Sequence, residues 1–312
     1  MSELYEKSLI KLELNQVLQM LSQCAGSSAG KQACLQLKPI SDLEDVQSLQ
    51  QQTTAAVNLS TRKGNPSFSG VADVSASLDR AQRGGSLQPA ELLRIAGVLR
   101  CTRNVKSYCD EEEKATVLDP MFCALSPNKY LEDRISGAIL SEEEIADNAS
   151  PALSDIRRHM RIQTGKIKDG LQKIISSPAY SKYLREPIIT IRDGRYVVPV
   201  KSEHKADVPG LVHDVSATGS TYFVEPMSAV NANNALRELE LQEKKEIARI
   251  LAELSAEAAS YQESINLNVT LLTELDVIFA KAKLAYRMEA WEPLMDDKGV
   301  VILRNARQPL ID

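Results

Sequence analysis

Residues 227–292 contain neither glycine nor proline, and this uninterrupted run constrains the fold more than any other feature of the chain. From residue 247 onward a seam recurs at alternating intervals of four and three residues, and Asn268 is its one polar member. The seam consists of Ile247, Leu251, Leu254, Ala258, Tyr261, Ile265, Asn268, Leu272, Leu275, Phe279, Ala282 and Tyr286. A seam of this period needs a partner helix, and a single buried Asn commonly fixes the register of such a pair. The run predicts one helix of roughly 100 Å.

A partner for this helix is predicted over residues 152–185. Apolar positions recur there at spacings of three and four, at Leu153, Ile156, Met160, Thr164, Ile167, Leu171 and Ile174. Ser150-Pro151 supplies a cap and a first turn, and Glu186-Pro187 supplies a stop. This outgoing helix is shorter than the returning one. We therefore expect the second half of the returning helix to pack on residues before 150.

Between the two helical patterns the apolar period changes to that of β-strands. The four strand-like runs are residues 188–191, 196–200, 211–215 and 221–224. Asp193-Gly194 separates the first two, and this dipeptide readily takes the positive φ angles of a type I′ hairpin turn. The second pair turns at Thr218-Gly219. The sequence therefore predicts a small antiparallel sheet at the tip of two antiparallel helices.

The remaining segments complete the predicted domain organisation. Capping residues and breaks before residue 125 predict a helical core. The run Val300–Leu303 reads as a strand without a sheet of its own, which suggests a following domain. The predicted boundaries are a helical core over 1–125, a connector and outgoing helix over 126–185, the sheet over 186–227, the returning helix over 228–292 with its second half packing on the core, and the strand over 293–312.

Composition excludes several classes of protein. No run of 18 apolar residues exists and the first residues are charged, so we expect neither a membrane span nor a secretory signal, and a cytoplasmic location. The five cysteines form no CxxC pair and no metal-ligand spacing, which indicates reduced core residues. Only 4% of residues are aromatic, which favours a mainly helical architecture.

The distribution of charge is more informative than the net charge of -5. Residues 155–185 carry eight basic and two acidic side chains, a local charge of +6. Residues 132–147 carry one basic and six acidic side chains, a local charge of -5. A basic helix can neutralise phosphates without contacting bases, but a solvated helix face has the same composition. Charge alone leaves both interpretations open.

Three segments invite a catalytic or ligand-binding interpretation that their chemistry does not support. The segment Gly26–Gln32 resembles a phosphate loop, but it has three residues between its glycines and Gln32 in place of Ser or Thr. His213 and Asp214 are adjacent, so on a strand they point to opposite faces and cannot pair as base and orienter. The acidic clusters at 111–113 and 142–144 are consecutive and read as solvated faces. We expect no catalytic site and no metal site.

Several motifs carry a family resemblance. They are Arg192-Asp193-Gly194-Arg195 with Tyr196, Pro199 and Lys201, then His213-Asp214 with Ser216, Thr218, Gly219, Thr221, Glu225 and Pro226, and then Asn233-Asn234. Together they resemble the clamp signature of the second bacterial MutS paralogue family, whose members carry a Smr domain. Further matches are Leu4-Tyr5, Asp79-Arg80-Ala81, Gly84-Gly85, Asp147, Ala149-Ser150, Ala306-Arg307 and Pro309-Leu310. Thr218 stands where the family usually has Ser, and Gln308 where it usually has His.

This resemblance implies a mainly α fold: a helical core bundle, long antiparallel lever helices and a small antiparallel β clamp domain at the tip. It implies that an ATPase domain using ATP and Mg, and then a Smr endonuclease domain, follow beyond Asp312, with no cofactor in these residues. It also implies a homodimer that binds DNA while suppressing homologous recombination, or rRNA on collided ribosomes. Mismatch recognition is not implied, because the family lacks the domain for it.

Charge and resemblance together predict nine nucleic-acid contacts. They are Arg157, Arg158, Arg161, Lys166, Lys168, Arg192, Arg195, Lys201 and Lys205. The leading hypothesis is a non-catalytic binding and lever module. A second hypothesis is a purely structural dimerisation or transmission arm without nucleic-acid affinity of its own, and a third is an enzyme within these residues.

Overall fold

The computed structural model describes residues 3–109, 115–304 and 306–310, with side chains from Lys7 onward. The acidic cluster at 111–113 and the side chains of Leu4 and Tyr5 lie outside the described residues. The chain forms two compact units. We call Met1–Glu144 with Ala252–Asp312 the core unit, and Ile145–Leu251 the insert unit.

The described residues are mainly helical. The helices are α1 (Glu3–Lys11), α2 (Leu14–Cys24), α3 (Ser28–Leu35), α4 (Leu43–Lys63), α5 (Ser75–Gln82), α6 (Pro89–Tyr108), α7 (Asp119–Ala124), α8 (Lys129–Ala138), α9 (Pro151–Ile175), α10 (Pro178–Ser181), α11 (Met227–Ser260) and α12 (Gln262–Arg287). The strands are β1 (Thr190–Arg192), β2 (Arg195–Lys201), β3 (Gly210–Val215) and β4 (Thr221–Pro226). The predicted class, mainly α with a small antiparallel sheet, is confirmed.

Helix α12 lies at the centre of the core unit, where it contacts α2 to α6. Its seam residues Leu272, Leu275 and Phe279 are buried in one apolar cluster with side chains of α4, α6 and α7. Three tilted or edge-on ring pairs lie in this cluster, with centroids 5.9 to 6.1 Å apart, among Phe68, Tyr108, Phe122 and Phe279. Burial of these large side chains is the main stabilising contribution to the unit.

The returning helix is not continuous. It breaks at Tyr261 (φ -108°, ψ 14°), whose N–H bonds to the carbonyl of Ala258 at 3.1 Å, three residues back. Tyr261 and Tyr286 are exposed, unlike the seam positions between them. The prediction of one uninterrupted helix with a continuous seam is therefore wrong at these two residues. A local tightening to three-residue bonding needs no glycine or proline, so the sequence gives no sign of it.

Asn268 is fully buried, as the seam predicts, but its predicted role as a register device between two helices is wrong. Its Oδ1 accepts the N–H of Ser126 at 2.9 Å, and its Nδ2 donates to the carbonyl of Ser126 at 2.9 Å. The amide thus satisfies both backbone groups of one loop residue between α7 and α8. Its partner is a peptide group, and the side chain holds that loop on α12.

The sheet of the insert unit has strand order β1-β2-β4-β3, and every neighbouring pair is antiparallel. Asp193 and Gly194 both have positive φ (49° and 73°), as a type I′ turn requires. The predicted hairpin is therefore confirmed. Between β3 and β4 the register shifts by one residue between Val212 and Asp214, which makes His213 the extra residue of a β-bulge.

Helices α9 and α11 run antiparallel within the insert unit, because Ser150 and Arg157 contact Glu246 and Glu243 respectively. The inner face of α9 packs on the sheet through an apolar cluster that includes Ile167, Leu171, Val198, Val200 and Val224. These positions have the period of one helix face and of one sheet face, which is why the two elements can bury them together.

Two predicted boundaries differ in the structure. Helix α9 ends at Ile175, ten residues before its predicted last residue, Arg185, and the short helix α10 follows. Pro178 explains the end, since a residue that precedes proline is disfavoured in a helix. Residues 300–303 are exposed and irregular and form no strand. A strand is stable only when a neighbour takes its backbone hydrogen bonds, and these four residues have no such neighbour in the described chain.

The described cysteines are all free thiols. Burial raises the pKa of Cys34 and Cys101 to about 11, which keeps both thiols protonated and unreactive at neutral pH. None of the described helices combines the length and the apolar character that a membrane crossing requires.

Candidate nucleic-acid interface

A buried carboxylate organises the sheet of the insert unit. Glu225 is 0% exposed, and its two oxygens lie 2.9 and 3.1 Å from Nη1 of Arg195. His213 Nε2 lies 2.5 Å from Oε2 of the same carboxylate. Arg195 also donates to Oδ1 of Asn234 at 2.7 Å. Arg195 is thus committed to the interior of the unit, because a buried carboxylate without a cation would be strongly destabilising.

The neighbouring Asn233 is buried and ties α11 to the sheet. Its side chain accepts the N–H of Tyr196 at 3.2 Å and donates to the carbonyl of Tyr196 at 3.1 Å. Within the sequence signature, Arg195, His213, Glu225 and Asn234 therefore form one hydrogen-bonded network, and Asn233 bonds to the adjacent Tyr196 backbone. This part of the signature preserves the internal structure of the insert unit.

Arg192 is also paired. Its Nε lies 3.1 Å from the carboxylate of Asp214, and its guanidinium stacks on Phe223 at 4.1 Å from the ring centroid. His213 contacts Glu225 while Asp214 contacts Arg192, so the two adjacent side chains serve different partners. They do not form a catalytic pair.

The three arginines of the first half of α9 all contact carboxylates. Arg157, only 19% exposed, donates to Glu243 at 2.7 Å, to the carbonyl of Ile145 at 2.7 Å and to Asp147 at 2.6 Å. Burial lowers the pKa of Arg157, but the hydrogen bonds to Glu243 and Asp147 outweigh it and raise that pKa. Arg157 thus has a structural role.

Arg161 and Arg158 form more exposed pairs. Arg161 contacts the second oxygen of Asp147 at 3.0 Å, and Arg158 contacts Asp155 at 3.0 Å. Hydrogen bonds from Arg157 and then Arg161 lower the pKa of Asp147. Both arginines remain more than 60% exposed, so these pairs contribute little to stability and compete with any other anion.

Other cations of the insert unit have no carboxylate partner among the described residues. We call them the unpaired cations; they are Lys166, Lys168, Lys173, Arg185, Lys244 and Lys245, all exposed. The sequence prediction included only Lys166 and Lys168. It missed Lys244 and Lys245 because flanking glutamates made that stretch of α11 appear balanced. Lys166 and Lys173 are seven residues apart and therefore project from the same face of α9.

Lys201 and Lys205 lie at the end of the sheet opposite the Asp193-Gly194 turn. Lys201 Nζ donates to the carbonyl of Lys182 at 2.9 Å. Lys182 and Lys205 lie over the rings of Tyr183 and Tyr222, at 4.8 and 4.9 Å from their centroids. The ammonium groups of Lys182 and Lys205 have no carboxylate partner among the described residues, so this end of the sheet presents cations held against aromatic rings.

The glycine-rich segment before α3 is occupied by a carboxylate of the protein itself. Asp276 accepts the N–H groups of Gly26 and Ser27 at 2.8 Å each, and the Ser27 hydroxyl at 2.6 Å. A Cβ on Gly30 would lie 2.1 Å from Asp276 Oδ2. Gly30 is therefore needed for the close approach of Asp276 to the helix N-terminus. No group of three or more metal-ligating side chains occurs among the described residues.

No protein-family model matches the chain. Curated proteins do match it along almost its whole length. The proteins named "Endonuclease MutS2" from Ruminiclostridium cellulolyticum and Acetivibrio thermocellus are each 44% identical to it over 310 and 311 residues, and that of Alkaliphilus oremlandii is 41% identical over 309. Each alignment covers 98% of this chain but 39% of the relative. The chain therefore belongs to the MutS2 family and corresponds to part of its members' length.

Proposed function

We propose that this chain is a non-catalytic binding module whose insert unit holds the backbone of a nucleic acid. The unpaired cations of α9 and α11, together with Lys201 and Lys205, supply the contacts. The observation that carries the proposal is the division of the basic residues into two groups. One group, Arg157, Arg192 and Arg195, forms ion pairs with carboxylates of the chain itself. The other group includes Lys166 and Lys168, which have no carboxylate partner in the described chain.

Phosphate binding suits the chemistry of these lysines. A lysine ammonium is a point charge on a flexible stem, so it can follow a phosphate without a fixed geometry. Contacts of this kind are independent of base sequence and depend steeply on salt.

The longer protein extends the proposal. The relatives are named endonucleases, and this chain corresponds to 39% of their length. We propose that the intact protein is a homodimer with ATP and Mg in a separate ATPase domain. Its nucleic acid is then DNA during recombination, or rRNA on a collided ribosome. In that protein the insert unit is the clamp, and the helices that carry it transmit the ATP state.

A second candidate function is a structural transmission arm without affinity for nucleic acid. The side chains that join α9 to α11 favour it. Arg157 donates to Glu243 and the Ser150 hydroxyl donates to Glu246 at 2.7 Å each, so polar contacts join the start of α9 to the middle of α11. Such ties resist sliding of one helix along the other, as a rigid arm requires.

The test measures binding of the 312-residue chain to a short labelled duplex, as DNA and as RNA, over a range of salt concentrations. We expect log K to fall linearly with log salt, with a slope of about -0.9 per phosphate contact. Substituting Lys166, Lys168 and Lys173 by Ala should reduce the magnitude of that slope by about 2.7.

The matched control replaces Lys11, Lys31 and Lys38 of the core unit, which are also exposed lysines, by Ala. It removes the same charge from the chain but leaves the insert unit intact, so the slope should not change. Equal losses in the two triple variants would mean that only the total charge matters and would contradict the proposed surface. Absence of binding at low salt would favour the transmission arm.

A further inference from the structure

A groove on the insert unit lies between helix α9 and the edge strand β1. Its volume is about 670 Å³, within the range of sites that hold small molecules. It is lined by Lys168, Asp169 and Gln172 of α9, by Ile189, Thr190 and Ile191, and by Tyr196 of β2. All of these residues belong to one compact unit, so the groove is a feature of that unit alone.

The sheet side of the groove is apolar and aromatic. Ile191 and Tyr196 are direct partners across β1 and β2, so their side chains lie next to each other on the same face. Ile191 is 50% exposed, and the Tyr196 ring is half-buried. An exposed aliphatic side chain beside an aromatic ring provides a surface on which a flat ring can stack.

The helix side of the groove is polar. Lys168 and Gln172 are one turn apart on α9 and therefore project toward the same side. The side chains of Lys168, Asp169, Thr190 and Tyr196 have no hydrogen-bond or ion-pair partner among the described residues. Elsewhere in the same unit Glu225, Asn233 and Arg157 are fully engaged. Polar groups without a partner therefore line a concave surface that also has an aromatic wall.

We propose that this groove holds a single unpaired nucleotide of the nucleic acid that the insert unit binds. The base stacks on Tyr196 and Ile191, its amino group donates to the carboxylate of Asp169, and its phosphate contacts Lys168. This inference rests on the proposed function and narrows its ligand to nucleic acids with an unpaired base, such as a gap or a junction. Stacking on aromatic rings and bonding at the base edge are how proteins recognise splayed-out bases.

Charge distinguishes this ligand from a peptide. Strand β1 is an edge strand, and an extended peptide could also pair with it. The groove, however, is lined by Lys168, which has no carboxylate partner in the described chain. A polyanion gains from this ammonium group, and an uncharged peptide does not.

The test compares binding of the 312-residue chain to an intact duplex and to the same duplex with one nucleotide left unpaired and replaced by 2-aminopurine. We expect the duplex with the unpaired nucleotide to bind about tenfold more tightly than the intact one, as stacking of one base would give. We also expect the fluorescence of 2-aminopurine to be quenched. Ile191→Trp fills the groove and should abolish this preference while affinity for the intact duplex is unchanged. The control is Ile188→Trp, since Ile188 is similarly exposed at 47% and does not line the groove.

Equal affinity for the two duplexes would contradict the proposed nucleotide site in the groove and leave the proposed function intact. A preference for the duplex with the unpaired nucleotide that persists in Ile191→Trp would do the same. If neither duplex binds, the proposed function fails and the groove is tested alone by titrating the chain with deoxynucleoside monophosphates. Chemical-shift changes at the amides of Thr190 and Tyr196 then support the groove, and unchanged shifts overturn it. Changes caused by an extended peptide of alternating Val and Thr, but by no nucleotide, also overturn it and assign the groove to strand pairing.

Discussion

The two halves of helix α9 carry the same charge and use it differently. Residues 157–161 hold three arginines, and each contacts a carboxylate. Residues 166–173 hold three lysines, and none has a carboxylate partner among the described residues. A sum of charges along the sequence gives both halves the same weight. The comparison shows that a basic helix keeps cations available for a ligand only where no carboxylate of the protein pairs with them.

The choice between arginine and lysine matches this division between paired and unpaired cations. The planar guanidinium of Arg157 donates at once to three acceptors on two segments, a geometry that a lysine ammonium does not match. Lysine keeps its flexible stem and a strongly hydrated charge, which suits an exposed contact. Arg157 therefore stabilises the insert unit, whereas the lysines remain available for a ligand.

The largest expected effect is on the free energy of unfolding, which should respond differently to the loss of a paired arginine and of an unpaired lysine. Arg195→Ala leaves the buried carboxylate of Glu225 without its main cation, so the free energy of unfolding should fall by about 3 kcal/mol. Lys173→Ala should change it by less than about 0.5 kcal/mol, because that side chain is exposed and unpaired. Urea denaturation followed by circular dichroism measures both. Equal stabilities of the two variants would contradict the division between paired arginines and unpaired lysines.

The next effect lies within the arginines themselves. Arg157→Ala removes three hydrogen bonds from a side chain that is 19% exposed, and we expect a loss of about 2 kcal/mol. Arg158→Ala breaks only a surface pair with Asp155 and should cost less than about 0.5 kcal/mol. Hydrogen exchange of the α9 amides reports the difference locally. Similar protection in both variants would show that Arg157 does not stabilise this helix.

The third prediction concerns a substitution that leaves a paired cation without its carboxylate. Asp147→Asn removes the charge that pairs with Arg161, so the affinity of the chain for a duplex should rise and its salt slope should steepen by about 0.9. Glu44→Gln changes the net charge equally on an exposed, unpaired residue of the core unit and should leave the slope unchanged. An unchanged slope for Asp147→Asn would mean that pairing does not limit which cations bind.

The smallest expected effect is on stability at acidic pH. Hydrogen bonds from Arg249 and then Ser150 lower the pKa of Glu246 from 4.5 to about 2. Because the pKa is depressed in the folded state, the stabilisation is complete above pH 4.5 and is lost as pH falls toward 2. Arg249 is half-exposed, so we expect less than about 1 kcal/mol. The stability difference between the natural chain and Glu246→Gln should shrink over that pH range; a constant difference would contradict this origin.

Local patterns in the sequence predict the local structure well. The strand runs and the Asp193-Gly194 turn yield the sheet, because side-chain alternation and positive φ are properties of neighbouring residues. The cap at Ser150 is likewise present, since its hydroxyl accepts the N–H of Leu153 at 3.0 Å. The break at Tyr261 was not predictable, because no helix-breaking residue marks it.

The long-range partners could not be predicted. Glu225 joins residues 12 and 30 positions away, and Asn268 bonds to Ser126, 142 positions away. No local pattern specifies such pairs. The same limit applies to the candidate interface, where the nine predicted cations include Arg157 and Arg195, which the fold uses internally. Exposure without a carboxylate partner is a property of the folded chain.

The cap of helix α3 has a consequence for the order in which the protein forms. Ser27 bonds to Asp276, which is 249 positions later in the chain. During translation the helix N-terminus must wait for 249 further residues before its partner is synthesised, whereas residues 145–251 are synthesised earlier. A chain truncated before residue 276 therefore contains every residue of the insert unit but lacks the partner of the α3 cap, and we expect chaperones to bind its incomplete core unit.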